Sequence, residues 1–135
     1  MNLLPAVFVI DDDVAIQGAL KGLLGTWGIR LHSFLSAEAF LESYSDEWTG
    51  CLLVDVRMPS MSGFELLKEL RSRGGSLPAV LMTGHGIAGL VQEATDAGAA
   101  NILEKPFQVE QLRDLLNRQC PELFRGARSA GDAER

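Results

Sequence analysis

Asp11, Asp12 and Asp13 follow directly on the apolar run Ala6 to Ile10, so the chain drives a buried segment straight into three carboxylates. Two carboxylates about 4 Å apart repel by roughly 4 kcal/mol at an effective dielectric near 20, and something must offset that cost. One offset is helix capping, in which an aspartate accepts backbone N–H groups at the positive end of a helix dipole. The other is a hard divalent cation, which takes oxygen ligands and turns repulsion into binding energy. Both stand open on this stretch alone. Further along, Asp55 follows the run "CLLV", Thr83 follows "AVLM", and Lys105 comes two residues after "NIL". A carboxylate, a hydroxyl and an ammonium thus repeat the same placement, each at or near the end of an apolar run. Taken singly, each has an ordinary structural role: Asp55 as a cap of the turn "VRMPSMSG", Thr83 as a strand-end residue, Lys105 as a solvated loop lysine.

The elements that position these residues follow from periodicity. Ala6 to Ile10, Cys51 to Val54, Ala79 to Met82 and Asn101 to Leu103 are short apolar runs without alternation, the pattern of strands buried on both faces. Arg30 to Phe34 alternates and suits a half-exposed edge strand. Helix-spaced segments separate them: Val14 to Trp27, with Ile16, Leu20, Leu23, Leu24 and Trp27 as apolar positions; Ala37 to Tyr44 after Ser36; Phe64 to Arg71; Ile87 to Ala97, closed by Gly98; and Val109 to Gln119, stopped by Pro121. Five strands alternating with five helices predict an α/β, doubly wound sheet. No internal repeat occurs. The expected division is one domain over residues 1–120 and a disordered tail or linker over 121–135.

The 135 residues, 47% of them hydrophobic, are enough for one domain with a full core. A formal charge of -6 argues against nucleic acid and anionic lipid as partners, since both attract basic patches. Cys51 and Cys120 lie far apart with no CxxC pattern, which argues against a zinc site or a disulfide framework. No apolar run approaches the ~20 residues of a membrane span, and no leader pattern opens the chain. A cytoplasmic protein is expected.

In open α/β sheets, ligands bind beyond the carboxyl ends of the strands. Asp11, Asp12, Asp55, Thr83 and Lys105 should therefore converge. The motifs that carry them are "VIDDD", "LLVDVRMPSMSG", "LMTGHG" and "EKPF", each weak alone and specific in this order. From Val7 to about Gln119 the chain resembles the receiver domain of two-component response regulators, and "LHSFLSAEAFL" and "MPSMSGFELL" are most similar to regulators of the nitrogen-fixation type.

The resemblance implies a CheY-like, flavodoxin-like five-stranded parallel sheet of order 2-1-3-4-5. It implies that Asp55 accepts a phosphoryl group from a sensor histidine kinase and becomes an acyl phosphate. Mg²⁺, or Mn²⁺ in its place, is the implied cofactor, held directly by Asp12 and Asp55, through water by Asp11, and by the backbone carbonyl of Arg57. Lys105 and Thr83 are implied to contact phosphoryl oxygens, with Lys105–Pro106 a cis bond. Phosphorylation-dependent pairing through the face of the fourth helix, fifth strand and fifth helix is implied as well, and transcription regulation as the output of the longer protein. The chain is expected to catalyse its own phosphorylation and dephosphorylation without turning over an external substrate. Asp13 is expected to cap a helix, His85 to be exposed and Cys51 to pack in the core.

Ile102 stands three residues before the lysine, where the family usually has an aromatic switch residue, and Arg57 and His85 occupy positions that tune phosphate lifetime in the family. Too few residues follow Pro121 for a helix-turn-helix, so the expectation is either a stand-alone receiver or a piece of a larger regulator. Two rivals differ in chemistry. A magnesium-dependent phosphatase with an aspartyl nucleophile needs a second acid two residues on, where Arg57 stands. A pseudo-receiver that only docks partners lacks catalytic residues, and none is missing here.

Overall fold

The computed structural model describes residues 4–124. In chain order the elements are β1 (Ala6–Ile10), α1 (Val14–Thr26), β2 (Arg30–Phe34), α2 (Ala37–Ser43), β3 (Gly50–Asp55), α3 (Gly63–Ser72), β4 (Ala79–Thr83), α4 (Val91–Ala97), β5 (Asn101–Glu104) and α5 (Val109–Gln119). The strands form one five-stranded parallel sheet in the order β2-β1-β3-β4-β5, as expected.

Side chains alternate across the pleat, and here both faces are covered, which explains why the strands themselves show no hydrophobic alternation. Phe8, Ile10, Leu52, Val54 and Leu81 face one buried cluster with Phe40 of α2, Phe64, Leu67 and Leu70 of α3, and Ala94 and Ala97 of α4. Val7, Val9, Cys51, Leu53, Val80 and Met82 face the other, with Leu20 and Leu24 of α1 and Leu112 and Leu116 of α5. Cys51 is fully buried, and burial, reinforced by the nearby Cys120 and Glu122, pushes its thiol up to about 12. It is a packing residue, as expected. The edge strand β2 keeps Arg30, His32 and Ser33 exposed.

Caps set the helix boundaries that matter for the site. The Asp13 side chain accepts from Ala15 N at 2.9 Å and starts α1, so one of the three aspartates does cap. Ser62 and Glu65 exchange bonds in a capping box that starts α3. At the start of α3, a Cβ on Gly63 would lie 2.5 Å from the Asp55 carbonyl oxygen, so only glycine lets this helix begin so close to the end of β3.

Two expectations are corrected. The helix expected over Ile87 to Ala97 begins only at Val91. Gly89 weakens helix formation within that span, Gly86 just before it is left-handed at φ 86, and the chain instead closes a turn from Leu90 N to Ile87 O at 2.8 Å. The expected tail also starts later than residue 121. Beyond α5 the chain turns again, with Phe124 N bonded to Pro121 O at 3.0 Å, and Leu123 and Phe124 are buried in the second cluster. The Arg113 guanidinium lies 5.5 Å from the Trp27 ring centroid and 5.7 Å from that of Phe124, bridging α1, α5 and this turn. The rest of the expected tail, residues 125–135, lies outside the described residues.

Candidate functional site

Strand register alone brings the site together. Ile10 pairs with Val54, so Asp11 and Asp55, each one residue further, stand level at the ends of β1 and β3. Asp55 pairs with Met82, which places Thr83 one step beyond it, and Thr83 pairs with Glu104, which precedes Lys105. One carboxylate oxygen from each of Asp11, Asp12 and Asp55 can be chosen so that all three lie within 4.8 Å of one another. The Lys105 Nζ reaches this cluster from β5, donating to Asp11 Oδ2 at 2.9 Å and lying 3.4 Å from Asp55 Oδ1. The Lys105–Pro106 bond is cis, as expected, and the Lys105 backbone N donates to Thr83 O at 2.7 Å.

Burial and charge act strongly here. The Asp11 side chain is 1% exposed and that of Asp55 12%. Desolvation first, then the charge of Asp11 and more weakly of Asp12, pushes the Asp55 carboxyl above its ordinary range, with Lys105 pulling the other way. For Lys105, burial disfavours the charge, but the hydrogen bonds and charges of Asp11 and Asp55 outweigh it and hold the ammonium above its ordinary value. Three carboxylates against one ammonium leave negative charge uncompensated, and the exposed Asp12 gives the cluster an open side. The donor set is all hard oxygen, which suits Mg²⁺, an ion that needs few protein ligands because it keeps several waters.

Not every expected residue touches its neighbours. Asp55 does not cap α3; Ser62 does. The buried Thr83 hydroxyl accepts from His85 N at 3.2 Å, and among the described residues no hydrogen bond joins it to Asp55. Arg57 is exposed beside the cluster, lining a shallow groove with Met58, Pro59, Leu90 and Glu93. His85 is exposed. Ile102 is half-buried and lines a cavity of about 240 Å³ between α4 and β5. One residue that no motif flags belongs to the site's support. Gln17 lies on the buried stripe of α1, three and seven residues before Leu20 and Leu24, and a polar residue at such a position is itself a signal.

A doubly wound sheet of this strand order, with an aspartate cluster and a lysine at its carboxyl edge, is the form of a signalling receiver. The chain belongs to the response regulator receiver domain family, which it matches over residues 7–117. That family acts in two-component systems and generally binds Mg²⁺ at an acidic pocket; its members are phosphorylated by sensor histidine kinases. Among relatives, the transcriptional regulatory protein FixJ of Azorhizobium caulinodans is 48% identical over 101 residues, covering 75% of this chain and 48% of FixJ. The chain thus spans about half the length of that regulator. Among solved structures, the response regulator StyR superposes with a TM-score of 0.83 at 37% identity, over 97% of this chain and 67% of StyR. The FixJ-N structure does so at 0.79 and 36%, covering 85% of this chain and 92% of that one. No helix among the described residues is long and apolar enough to cross a membrane.

Proposed function

We propose that Asp55 is the phosphoacceptor of this receiver and that Asp11, Asp12, Thr83 and Lys105 serve its phosphorylation. The observation that carries this reading is the cluster of Asp11, Asp12 and Asp55 oxygens within 4.8 Å, with the Lys105 ammonium 2.9 Å from Asp11 and 3.4 Å from Asp55. An Asp55 carboxylate oxygen attacks the phosphorus of a phosphohistidine; the P–N bond breaks, its electron pair stays on the imidazole, and Asp55 becomes an acyl phosphate. Lys105, already beside Asp55, then balances charge on the phosphoryl oxygens. Thr83, at the end of the neighbouring strand, donates its hydroxyl hydrogen to a phosphoryl oxygen, which its accepted bond from His85 N leaves free to do. Water attack on the phosphorus releases phosphate and returns the Asp55 carboxylate.

Asp12 and Asp55, with Asp11 through water and the Arg57 carbonyl, would hold Mg²⁺ or Mn²⁺. When bound, the ion neutralises the carboxylates and the incoming phosphoryl charge. The similarity to FixJ supports transcription regulation as the output of a longer protein, in the cytoplasm where response regulators typically work. The exposed Val91 and Val109 and the cavity beside Ile102 support phosphorylation-dependent self-association through α4, β5 and α5.

Incubation with phosphoramidate tests the reading. Acid-stable, hydroxylamine-labile phosphate should accumulate with Mg²⁺ and vanish with EDTA. Labelling that ignores EDTA, or no labelling at all, would overturn it.

A further inference from the structure

The Gln17 carboxamide sits in a place no purely packing role requires. It is 7% exposed, and its Nε2 lies 3.1 Å from Val9 O, 3.2 Å from Asp11 O and 2.9 Å from Phe34 O. One amide nitrogen therefore ties the end of β1, the end of β2 and the peptide that joins Asp11 to Asp12. Phe34 O also takes the Asp11 N at 3.1 Å, so the knot closes on the same residue.

The two aspartates differ in how their carboxylates are held. Asp11 is fixed through its own side chain, which accepts from Asp13 N at 3.0 Å and from Lys105 Nζ at 2.9 Å. The Asp12 carboxylate is exposed and accepts no hydrogen bond among the described residues. Its place is thus set by its backbone, which side chains hold on both sides: the Asp11 carboxylate takes Asp13 N behind it, and Gln17 donates to Asp11 O in front of it. We infer that Gln17 is a positioning residue for the metal-binding aspartates, aiming Asp12 by clamping the peptide in front of it. This rests on the proposed function of the aspartate cluster.

The other carboxamide atom says what kind of group the position needs. Gln17 Oε1 is buried and has no protein hydrogen-bond partner among the described residues. Turning the amide over would aim that oxygen at three carbonyls, so the orientation is fixed by the acceptors. The work of the side chain is donation. A donor-only side chain such as arginine should therefore replace it, and an apolar side chain of similar size should not.

The test is Mg²⁺ titration by calorimetry of wild type, Gln17→Met, Gln17→Arg and the core variant Leu24→Ala, with phosphorylation by phosphoramidate measured across the same Mg²⁺ range. Groups that orient metal ligands typically change affinity by about 10–100-fold when removed. Gln17→Met should weaken Mg²⁺ binding by about that factor while the rate at saturating Mg²⁺ stays near wild type. Gln17→Arg should recover most of the affinity, and Leu24→Ala should lose thermal stability without moving the Mg²⁺ midpoint. A Gln17→Met protein that binds Mg²⁺ as wild type does overturns the inference alone. A wild type that binds no Mg²⁺ overturns the proposed function and this inference with it. Should Gln17→Met fail to fold, the wild-type Gln17 side-chain amide decides by NMR: it should shift with the same Mg²⁺ midpoint as the Asp12 backbone amide, and an unmoved resonance overturns the inference.

Discussion

Asp55 meets opposing demands: burial and the charges of Asp11 and Asp12 favour its neutral form, while Lys105 favours the carboxylate that its proposed role as phosphoacceptor needs. Because its carboxyl is held above the ordinary 3.8, the folded state binds the proton more tightly than the unfolded chain does. Ionised Asp55 therefore costs stability at neutral pH, and the cost fades as pH falls through the raised value toward 3.8. In EDTA at pH 7, Asp55→Asn should raise the denaturant midpoint, by on the order of 1 kcal/mol in stability. The gain should shrink toward pH 4; a gain that grows on acidification would contradict this electrostatic reading. Lys105 has the opposite sign. Its raised value makes it stabilising at neutral pH, an effect lost as pH rises above 10.5 through the folded-state value. Lys105→Met strands the buried Asp11 carboxylate and should cost on the order of 2 kcal/mol at pH 7 by urea unfolding, with the deficit narrowing above pH 10.5. The convergence of Asp11, Asp12, Asp55 and Lys105 was legible in the sequence because each lies within two residues of the end of an apolar run. Gln17 left only a weak mark, a polar residue on the buried stripe of α1, and its partners left none, because they are backbone carbonyls of three separate residues.

Strand limits were readable to within a residue at each end, since a doubly covered parallel sheet writes itself as short apolar runs. The α4 boundary was not, and the reason is local. Hydrophobic spacing from Ile87 onward continues the helical pattern, but it does not register that Gly89, behind the left-handed Gly86, lets the backbone close a turn over Ile87 to Leu90 first. The turn at Pro121–Phe124 escaped for the converse reason: proline ends α5, and Phe124 is covered by tertiary contact with Trp27 and Arg113, with Leu123 in the same buried cluster, rather than by any pattern nearby. At the junction of β3 and α3 the tight element contact has a direct consequence. Gly63→Ala would press a methyl group to 2.5 Å from the Asp55 carbonyl, a backbone atom that cannot move without carrying the proposed phosphoacceptor along. The variant should lose about 1–3 kcal/mol of stability, as overpacked sites do. Its phosphorylation at saturating phosphoramidate should slow as well; an unchanged thermal midpoint and rate would show that α3 yields without disturbing β3.

Across the whole molecule, the proposed phosphorylation of Asp55 has to reach the proposed pairing surface of α4, β5 and α5. Isoleucine is β-branched, stiff about χ1 and smaller than an aromatic ring, so Ile102 displaces little volume when it turns. Thr83 and the loop through His85 are therefore expected to carry most of the coupling, of the usual ~1–3 kcal/mol, with Ile102 as packing beside the α4–β5 cavity. Sedimentation with and without beryllofluoride should show self-association that Thr83→Ala abolishes and Ile102→Val barely alters. The reverse pattern would place the switch at Ile102. The claim on which all of this depends is that Asp55, and no other side chain of the cluster, receives the phosphoryl group. Intact-mass spectrometry of wild type and Asp55→Asn after phosphoramidate and Mg²⁺, followed by borohydride trapping and peptide mapping, tests it most directly. The wild type should gain the mass of one phosphoryl group, mapped to Asp55, and Asp55→Asn should gain none; label on Asp11, Asp12 or Thr83, or equal labelling of the variant, would contradict it.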